Sequence, residues 1–288
     1  MKLNDYLTRA SARLDEAGVS FGHGTTNSFD EAAWLVLWRL GVPLDDLDSV
    51  ADRVLKKSEV TTLDALIAQR IETRKPAAYL TGEAWLQGVP FTVDERVIVP
   101  RSLIAEVLAE GVIDAWMPAE IHRVLDLCTG NGSLAVIAAM AYPEVTVDAT
   151  DISEDALAVA RINVDKHTMA KRITLLRSDL FKAVRGPYDL ILCNPPYVNT
   201  QSMQALPAEY QAEPALALAG GDDGMKLVRT ILQDAPKHMT VDAVLVLEIG
   251  NERAHFEHAF RRLEVAWLET SAGDDQVLLF TRDALKPG

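Results

Sequence analysis

The second half of the chain alternates short apolar segments with segments of helical periodicity, and this alternation restricts the possible folds more than any other feature. Strands that are buried on both faces form continuous apolar runs, and the helices between them cover both faces of a parallel sheet. We therefore predict an α/β fold with a crossover helix at residues 134–141. The strands are predicted at residues 124–127, 146–150, 173–176, 190–193, 244–248, 265–268 and 277–281.

The first 75 or so residues have helical periodicity instead. Ser28 and Glu31 have the spacing of a capping box, and Gly41 ends the apolar stripe that follows them. A second apolar stripe predicts a helix that begins at Thr61 or Thr62. The pattern predicts a small helical bundle that packs on itself.

Between the two halves, the apolar spacing changes to period two around Gly88 and Pro90, which predicts a β-hairpin over residues 83–99. A helix is expected from Ser102 to Trp116. These patterns divide the chain into an N-terminal helical domain at 1–82, a linking hairpin at 83–100 and an α/β domain at 101–288.

Composition limits the kinds of protein that this chain can be. Apolar residues make up 49% of the chain, as in a globular protein with a sizeable core, and no apolar run reaches membrane-spanning length. The first residues lack a signal-peptide pattern, so we expect a cytoplasmic protein without membrane contact. Cys128 and Cys193 lack metal-ligand spacing and are expected to be reduced, buried thiols.

The chain is acidic, with a formal net charge of −14. Broad contacts with nucleic-acid phosphates require a basic surface, so we expect no direct nucleic-acid binding. A basic protein would be a better-matched partner. The alternative is that the charge only maintains solubility.

A turn rich in small residues follows the first predicted strand. It forms the sequence Asp126-Leu127-Cys128-Thr129-Gly130-Asn131-Gly132. In an open α/β sheet this turn lies at the edge where nucleotides bind, and glycine lets the backbone approach a ligand closely. The full dinucleotide fingerprint is absent, so the turn predicts a nucleotide-type site, although a purely structural turn carries similar glycines.

Acidic residues end the next two predicted strands. Asp151 ends the second strand, where a carboxylate can accept hydrogen bonds from both hydroxyls of a ribose. A helix cap is the alternative, but the neighbouring Ser153 is already suited to that role. Asp179 follows the third strand and is suited either to accept the exocyclic amine of an adenine or to be a solvated turn residue.

The sequence Asn194-Pro195-Pro196-Tyr197 follows the fourth predicted strand and indicates the chemistry. Planar amide and amino nitrogens are poor nucleophiles because their lone pair is delocalised. The Asn194 side-chain oxygen and the Pro195 carbonyl can each accept one N–H of such an NH2 group and hold the lone pair toward a methyl donor. The prolines fix the backbone, and Tyr197 offers a flat stacking face. We interpret the motif as the site that binds the nitrogen to be methylated, rather than as a rigid turn.

Several functions stay open on these residues alone. An adenine amine presents the same planar NH2 as an amide, but adenine N6-methylation usually requires base flipping and phosphate contacts. A catalytically inactive binding module with the same fold is a third possibility. No Ser-His-Asp arrangement, Walker sequence or metal-binding cluster is evident, and methyl transfer requires positioning more than a strong base.

Together these motifs resemble those of the glutamine N5-methyltransferases that modify release factors and ribosomal proteins. The resemblance covers nearly the whole chain and includes the downstream segments Glu213-Pro214, Ala217-Leu218 and Gly220 to Gly224. It implies a class I methyltransferase fold, which is Rossmann-like with a seven-stranded sheet, and an N-terminal domain that recognises the substrate. It also implies S-adenosylmethionine as cofactor, with S-adenosylhomocysteine as product.

The resemblance also implies roles for individual residues. Asn194, Pro195, Pro196 and Tyr197 would be catalytic and would bind the glutamine amide. Asp151 would hold the ribose of S-adenosylmethionine. The implied cofactor-binding residues are Asp126, Cys128, Thr129, Gly130, Gly132, Asp151, Ile152, Asp179, Leu180 and Asn194.

Two features resemble the branch of this family that acts on the third protein of the large ribosomal subunit. These are the segment 21–27 and Cys128, where the release-factor branch usually has glycine. The segment Pro100-Arg101-Ser102 departs from the release-factor pattern, and this weakens the assignment to release factors. They stay as the alternative substrate. Arg101 and His23 are candidate substrate residues, and the alternative for His23 is a hydrogen bond that organises its loop.

An acidic enzyme of this branch would be steered toward a free basic ribosomal protein and repelled by the RNA of an assembled ribosome. The charge therefore predicts methylation before or during ribosome assembly.

Overall fold

The structure is a computed structural model and describes residues 1–286. Its N-terminal part is helical, as predicted. The helices are α1 (Leu3–Glu16), α2 (Ser28–Leu40), α3 (Leu47–Val50), α4 (Lys57–Thr73) and α5 (Ala77–Thr81).

The helix starts differ in detail from the predictions. Asn27 rather than Ser28 caps α2, because its extended backbone lets the side-chain oxygen accept the N–H of Asp30 at 2.9 Å. Ser28 instead donates to Asp15 at 2.8 Å. Helix α4 begins before the predicted threonines, at Lys57, since Glu59 accepts the N–H of Lys56 at 2.8 Å and satisfies the first turn.

A short hairpin follows, formed by β1 (Glu83–Leu86) and β2 (Val89–Thr92). Its turn is Gln87-Gly88, and both residues have positive φ, 49° and 72°. The predicted hairpin was too long, because residues 93–99 form a loop rather than a strand. The period-two pattern there reflects valines of this loop that are buried against the N-terminal helices.

The helix predicted from Ser102 to Trp116 is much shorter. Helix α6 spans Ile104–Ala109, and a single 3-10 turn at Asp114–Trp116 comes later. Gly111 lies between them with φ 67°, a left-handed conformation that ends a right-handed helix.

The predicted seven-stranded sheet is confirmed, and each predicted strand lies within a few residues of its observed position. The strands are β3 (Arg123–Leu127), β4 (Thr146–Asp151), β5 (Ile173–Arg177), β6 (Tyr188–Cys193), β9 (Met239–Glu248), β10 (Ala266–Thr270) and β11 (Gly273–Thr281), and a separate short pair is β7 (Val198–Asn199) with β8 (Ala219–Gly221). The helices of this part are α7 (Ser133–Ala141), α8 (Glu154–Lys166), α9 (Thr200–Ala205), α10 (Ala208–Gln211), α11 (Lys226–Asp234) and α12 (Arg253–Ala259).

The strand order is β10-β11-β9-β6-β3-β4-β5. All pairs are parallel except those of β11, which runs antiparallel to both β9 and β10. From β3 the chain passes outward through β4 and β5, and then returns to β6 on the other side of β3. The carboxyl ends of β3 and β6 therefore form a topological switch point, where α/β sheets bind ligands.

The sheet is buried on both faces by helices, and the N-terminal helices form a core of their own. This N-terminal core does not pack only on itself, as the periodicity predicted. Ala156 and Val159 of α8 belong to it, and so do valines of the loop at 93–99. In residues 1–286, no helix has both the length and the apolar character needed to cross a membrane.

Candidate active site

A cleft opens at the carboxyl ends of β3, β4, β5 and β6. It contains about 880 Å³ of space, part of it open to solvent. The predicted site residues that line the cleft are Cys128, Gly130, Asp151, Ile152, Asp179, Leu180, Asn194 and Pro196. Those that do not are Asp126, Thr129, Gly132, Pro195, Tyr197, Arg101 and His23.

The turn after β3 has a left-handed backbone, which glycine adopts more readily than cysteine. Cys128, Gly130 and Gly132 have φ of 62°, 55° and 80°. A Cβ on Gly130 would meet no atom within 4 Å, so the backbone borders open space. On the other side, Gly132 packs tightly on Ala160 of α8. Cys128 and Cys193 are free thiols, and Cys193 is buried whereas Cys128 lines the cleft.

Asp151 joins this turn to the start of α8. Its Oδ2 accepts the N–H of Gly130 at 2.9 Å, and its Oδ1 accepts the N–H of Ser153 at 2.9 Å. Burial raises the pKa of Asp151, and these backbone hydrogen bonds oppose the increase. Each carboxylate oxygen keeps a second lone pair, so the group can still accept hydrogen bonds from a ligand in the cleft.

Asp126 supports the turn from below and is fully buried. Its Oδ2 accepts the hydroxyl of Thr129 and the N–H of Ala135, the latter at 3.0 Å. Burial raises the pKa of Asp126 to about 7, although both hydrogen bonds lower it. Asp126 and Thr129 thus shape the turn rather than border the cleft.

Three further predicted residues lie at the mouth of the cleft. Ile152 is 46% exposed and Leu180 has a positive φ of 48°, and both present apolar groups to the cleft. Asp179 is exposed and pairs with Lys182 at 2.6 Å, which leaves its other oxygen available.

The Asn-Pro-Pro-Tyr motif continues from β6 along the opposite wall. Asn194 and Pro196 line the cleft, whereas Pro195 is buried behind them. Tyr197 lies outside the lining, and its hydroxyl donates to Glu248 at 3.3 Å. The predicted stacking face of Tyr197 is therefore not part of the cleft wall.

Glycines hold Tyr197 in this position. A Cβ on Gly224 would lie 2.2 Å from the carbonyl oxygen of Tyr197, and a Cβ on Gly250 would lie 2.5 Å from Cε2 of its ring. Real side chains cannot approach so closely, so both positions require glycine. The pairing of β7 with β8 brings the segment 220–224 against the motif.

Comparison with known proteins accounts for nearly the whole chain. Residues 106–221 match the family model of the methyltransferase small domain, and residues 5–82 match that of the PrmC N-terminal domain. The ribosomal protein uL3 glutamine methyltransferase of Bordetella pertussis is 54% identical, covering 98% of this chain and 96% of its own. Its counterpart in Burkholderia pseudomallei is 49% identical, covering 96% and 93%. The chain belongs to the uL3 glutamine methyltransferase family.

Solved structures confirm the class I methyltransferase fold. The hMettl16 catalytic domain, in a complex with MAT2A 3′UTR hairpin 1, matches with a TM-score of 0.55 at 15% identity, covering 86% of this chain and 89% of that one. At this identity the likeness concerns the fold alone.

In this methyltransferase, the wall of the cleft is anchored by a residue that composition and spacing did not reveal. Glu213 is buried and accepts two hydrogen bonds from Arg101, at 2.7 and 2.8 Å, and the N–H of Val99 at 2.9 Å. Burial raises the pKa of Glu213, but His23 and Arg101 outweigh this effect and lower it to about 2. The next residue, Pro214, lines the cleft.

His23 is buried beside this pair, with its ring centroid 4.3 Å from that of Tyr210. Its Nε2 lies 3.6 Å from Oε2 of Glu213, beyond hydrogen-bond distance, and within residues 1–286 neither ring nitrogen has a hydrogen-bond partner. The alternative considered for His23, a hydrogen bond that organises its loop, is thus absent from the described residues, and the ring contacts Tyr210 instead.

A second buried cation ties the N-terminal helices to the same segment. Arg70 of α4 is fully buried and donates to Glu31 at 2.7 Å, to Glu209 at 3.1 Å and to the carbonyl of Ser20 at 3.0 Å. Glu209 belongs to α10, which leads into the cleft wall at Pro214. The N-terminal domain therefore supports one side of the cleft.

Proposed function

We propose that this methyltransferase transfers a methyl group from S-adenosylmethionine to the side-chain nitrogen of a glutamine in ribosomal protein uL3. One observation carries the proposal: Asp151 and Asn194 line a single cleft at the switch point of the sheet, so the nucleoside site and the amide site proposed for them would be adjacent. The names of the relatives supply the identity of the acceptor.

The residues of the cleft fit S-adenosylmethionine. The open space beside Gly130 admits a ligand close to the backbone. Asp151 would accept the ribose hydroxyls, and the apolar side chains of Ile152 and Leu180 would enclose the adenine, with Asp179 near its amine. S-adenosylmethionine, when bound, supplies an electrophilic methyl group.

The chain's own residues would prepare the acceptor. The hydrogen bonds found near the motif use Tyr197 and Asn199, and in the part of the chain that is described none uses the Asn194 side chain. Its oxygen and the Pro195 carbonyl would accept the two N–H groups of the glutamine amide and direct the nitrogen lone pair toward the cofactor side of the cleft. The amide nitrogen would take the methyl group as the S–C bond of the sulfonium breaks to leave S-adenosylhomocysteine, and one amide proton would leave to solvent.

Two alternatives remain for comparison. Release factors present the same amide chemistry, but the relatives are named for uL3. Adenine N6-methylation would require phosphate contacts, which the net charge of −14 disfavours.

Peptide mass spectrometry tests the proposal. Purified enzyme is incubated with isotopically labelled S-adenosylmethionine and separate samples of free uL3, release factor and RNA, and the labelled residue is located. We expect one glutamine of uL3 to gain a single methyl group. Transfer mainly to RNA or to release factor would remove the uL3 assignment.

An Asn194→Ala variant tests the mechanism. Loss of one positioned hydrogen-bond acceptor is expected to lower kcat by about 100-fold. Asn4→Ala, at an exposed position of α1, is the matched control. Unchanged labelling by Asn194→Ala would refute the proposed role of the motif.

We further infer that the enzyme acts in the cytoplasm on uL3 before or during ribosome assembly, because the acidic chain is attracted to a free basic protein and repelled by ribosomal RNA. Initial rates are compared for free uL3 and intact large subunits. Equal rates for the two would contradict the inferred timing.

A further inference from the structure

A groove on the N-terminal domain lies outside the site described above. It encloses about 760 Å³, including space open to solvent. It is bordered by the start of α2, by the chain around α3 and by β1. Its lining includes Phe29, Asp30, Trp34, Leu44, Leu47 and Trp85.

The groove presents aromatic and apolar groups that the fold does not cover. Phe29, Leu44 and Trp85 are 38%, 38% and 43% exposed. The indole N–H of Trp85 donates to Glu83 at 3.1 Å, so the polar atom of the ring is satisfied and its apolar part is free for contact. Trp34 is buried beneath them and packs on Gly24, which gives the groove a fixed floor.

One carboxylate lines the groove, and three more follow closely in the chain segment that borders it. Asp30 lines the groove, and Asp45, Asp46 and Asp48 lie beside Leu44 and Leu47 in the sequence, all four of them exposed. Across residues 1–286, the ion pairs formed by lysine and arginine include none of these four aspartates. Within the described chain, no lysine or arginine side chain is therefore paired with these carboxylates.

Exposed aromatic faces bordered by carboxylates have the chemistry that binds lysine and arginine side chains. The aromatic faces attract a cation through their quadrupole, the apolar groups contact its methylene chain, and the carboxylates supply charge complementarity. Nucleic acid has the opposite charge requirement.

We propose that this groove docks a segment of the substrate protein that contains lysine or arginine and is separate from the glutamine to be methylated. The proposal rests on the proposed function, since it takes the substrate to be a basic ribosomal protein. The groove would select one protein among many glutamine-containing chains, because the amide site alone contacts only a small part of the substrate.

Steady-state kinetics with two substrates test this docking site. One substrate is intact uL3, and the other is a short peptide that carries only the target glutamine and its neighbours. Trp85→Ala, and separately the triple variant Asp45→Asn/Asp46→Asn/Asp48→Asn, are expected to raise KM for intact uL3 about tenfold while kcat stays the same. For the short peptide, kcat/KM is expected to stay within about twofold of wild type.

Matched controls separate docking from general effects. Trp116→Ala removes a tryptophan of similar exposure, 47%, that lies outside the groove. Glu144→Gln/Asp242→Asn/Glu264→Gln removes three exposed carboxylates elsewhere and changes the net charge equally. Both controls are expected to keep the wild-type KM for intact uL3.

The outcomes distinguish this proposal from the proposed function. An unchanged KM for uL3 in both groove variants overturns the docking site and leaves the methylation of uL3 intact. Equal losses with both substrates also overturn it, because the defect then lies in the active site or the fold. If wild type methylates no uL3, the proposed function fails. Fluorescence anisotropy of labelled uL3 then tests the docking site separately, by comparing the Kd of uL3 for wild type with its Kd for Trp85→Ala.

Discussion

Arg101 and Glu213 form a bidentate ion pair that joins the loop before α6 to the wall of the cleft, with N–O distances of 2.7 and 2.8 Å. Glu213 is fully buried, and Pro214 beside it lines the cleft. The pair therefore holds one wall of the cleft through residues that do not themselves border the cleft.

Glu213→Gln tests this anchoring. The neutral amide leaves the Arg101 charge largely unbalanced. We therefore expect the free energy of unfolding to decrease by about 3 kcal/mol and the rate of methylation to fall. Urea denaturation at pH 7 measures the first effect and initial rates measure the second. The pKa of Glu213 is lowered to about 2 from 4.5. The contribution of Glu213 to folding stability is therefore complete above pH 4.5 and is lost as the pH falls toward 2.

The double variant Arg101→Met/Glu213→Gln provides the control, since it removes both charges and is expected to be more stable than Glu213→Gln alone. A single variant as stable as wild type would contradict the anchoring role.

Asp151→Asn is expected to weaken S-adenosylmethionine binding by about 10- to 100-fold, because a neutral amide is a poorer acceptor for ribose hydroxyls than a carboxylate. Isothermal titration calorimetry measures the Kd. Asp155→Asn, an exposed residue in the first turn of α8, is the matched control and is expected to bind normally. Equal affinity for all three proteins would exclude a ribose role for Asp151.

Asp126 predicts a pH effect on stability. Burial raises its pKa from 3.8 to about 7, so the folded state binds more protons than the unfolded state between these values. Stability from this group therefore falls as the pH rises from about 4 to 7. The free energy of unfolding of Asp126→Asn, taken relative to that of wild type, is expected to be about 2 to 3 kcal/mol more favourable to folding at pH 8 than at pH 5.

Urea denaturation of both proteins at the two pH values measures this difference. A difference that does not change with pH would show that Asp126 ionises normally when folded.

Gly250→Ala is expected to displace Tyr197 and lower kcat by at least about tenfold, since the new Cβ would lie 2.5 Å from the ring. Gly41→Ala is a close control: Gly41 also has a positive φ, 66°, but a Cβ there meets no atom within 4 Å. Both variants are expected to lose about 1 kcal/mol of stability from backbone strain. Full activity of Gly250→Ala would show that the position of Tyr197 does not matter.

The sheet was predictable because its strands are buried on both faces and so form continuous apolar runs. The residue that caps α2 was not predictable from the sequence. Asn27 and Ser28 are both good caps, and only the backbone conformation selects Asn27. The residues that line the cleft lie at strand ends, which the sequence marks clearly. Glu213 was not identified as an anchor from the pattern, because its partner Arg101 is 112 residues away. Glu248 accepts hydrogen bonds from Tyr197 and from Ser102, and this contact with Ser102, 146 residues away, was not predicted for the same reason.

The shared packing of α8 limits how this protein can be recombined with its relatives. Ala156 and Val159 complete the N-terminal core, and Val97 of the connecting loop is buried in that core while also lining the cleft. A chimera joined at residue 82 would therefore combine two half-interfaces of different origin and alter one wall of the cleft. An exchange of specificity between relatives is better designed with the hairpin, the loop that follows it and the inner face of α8 transferred as one unit.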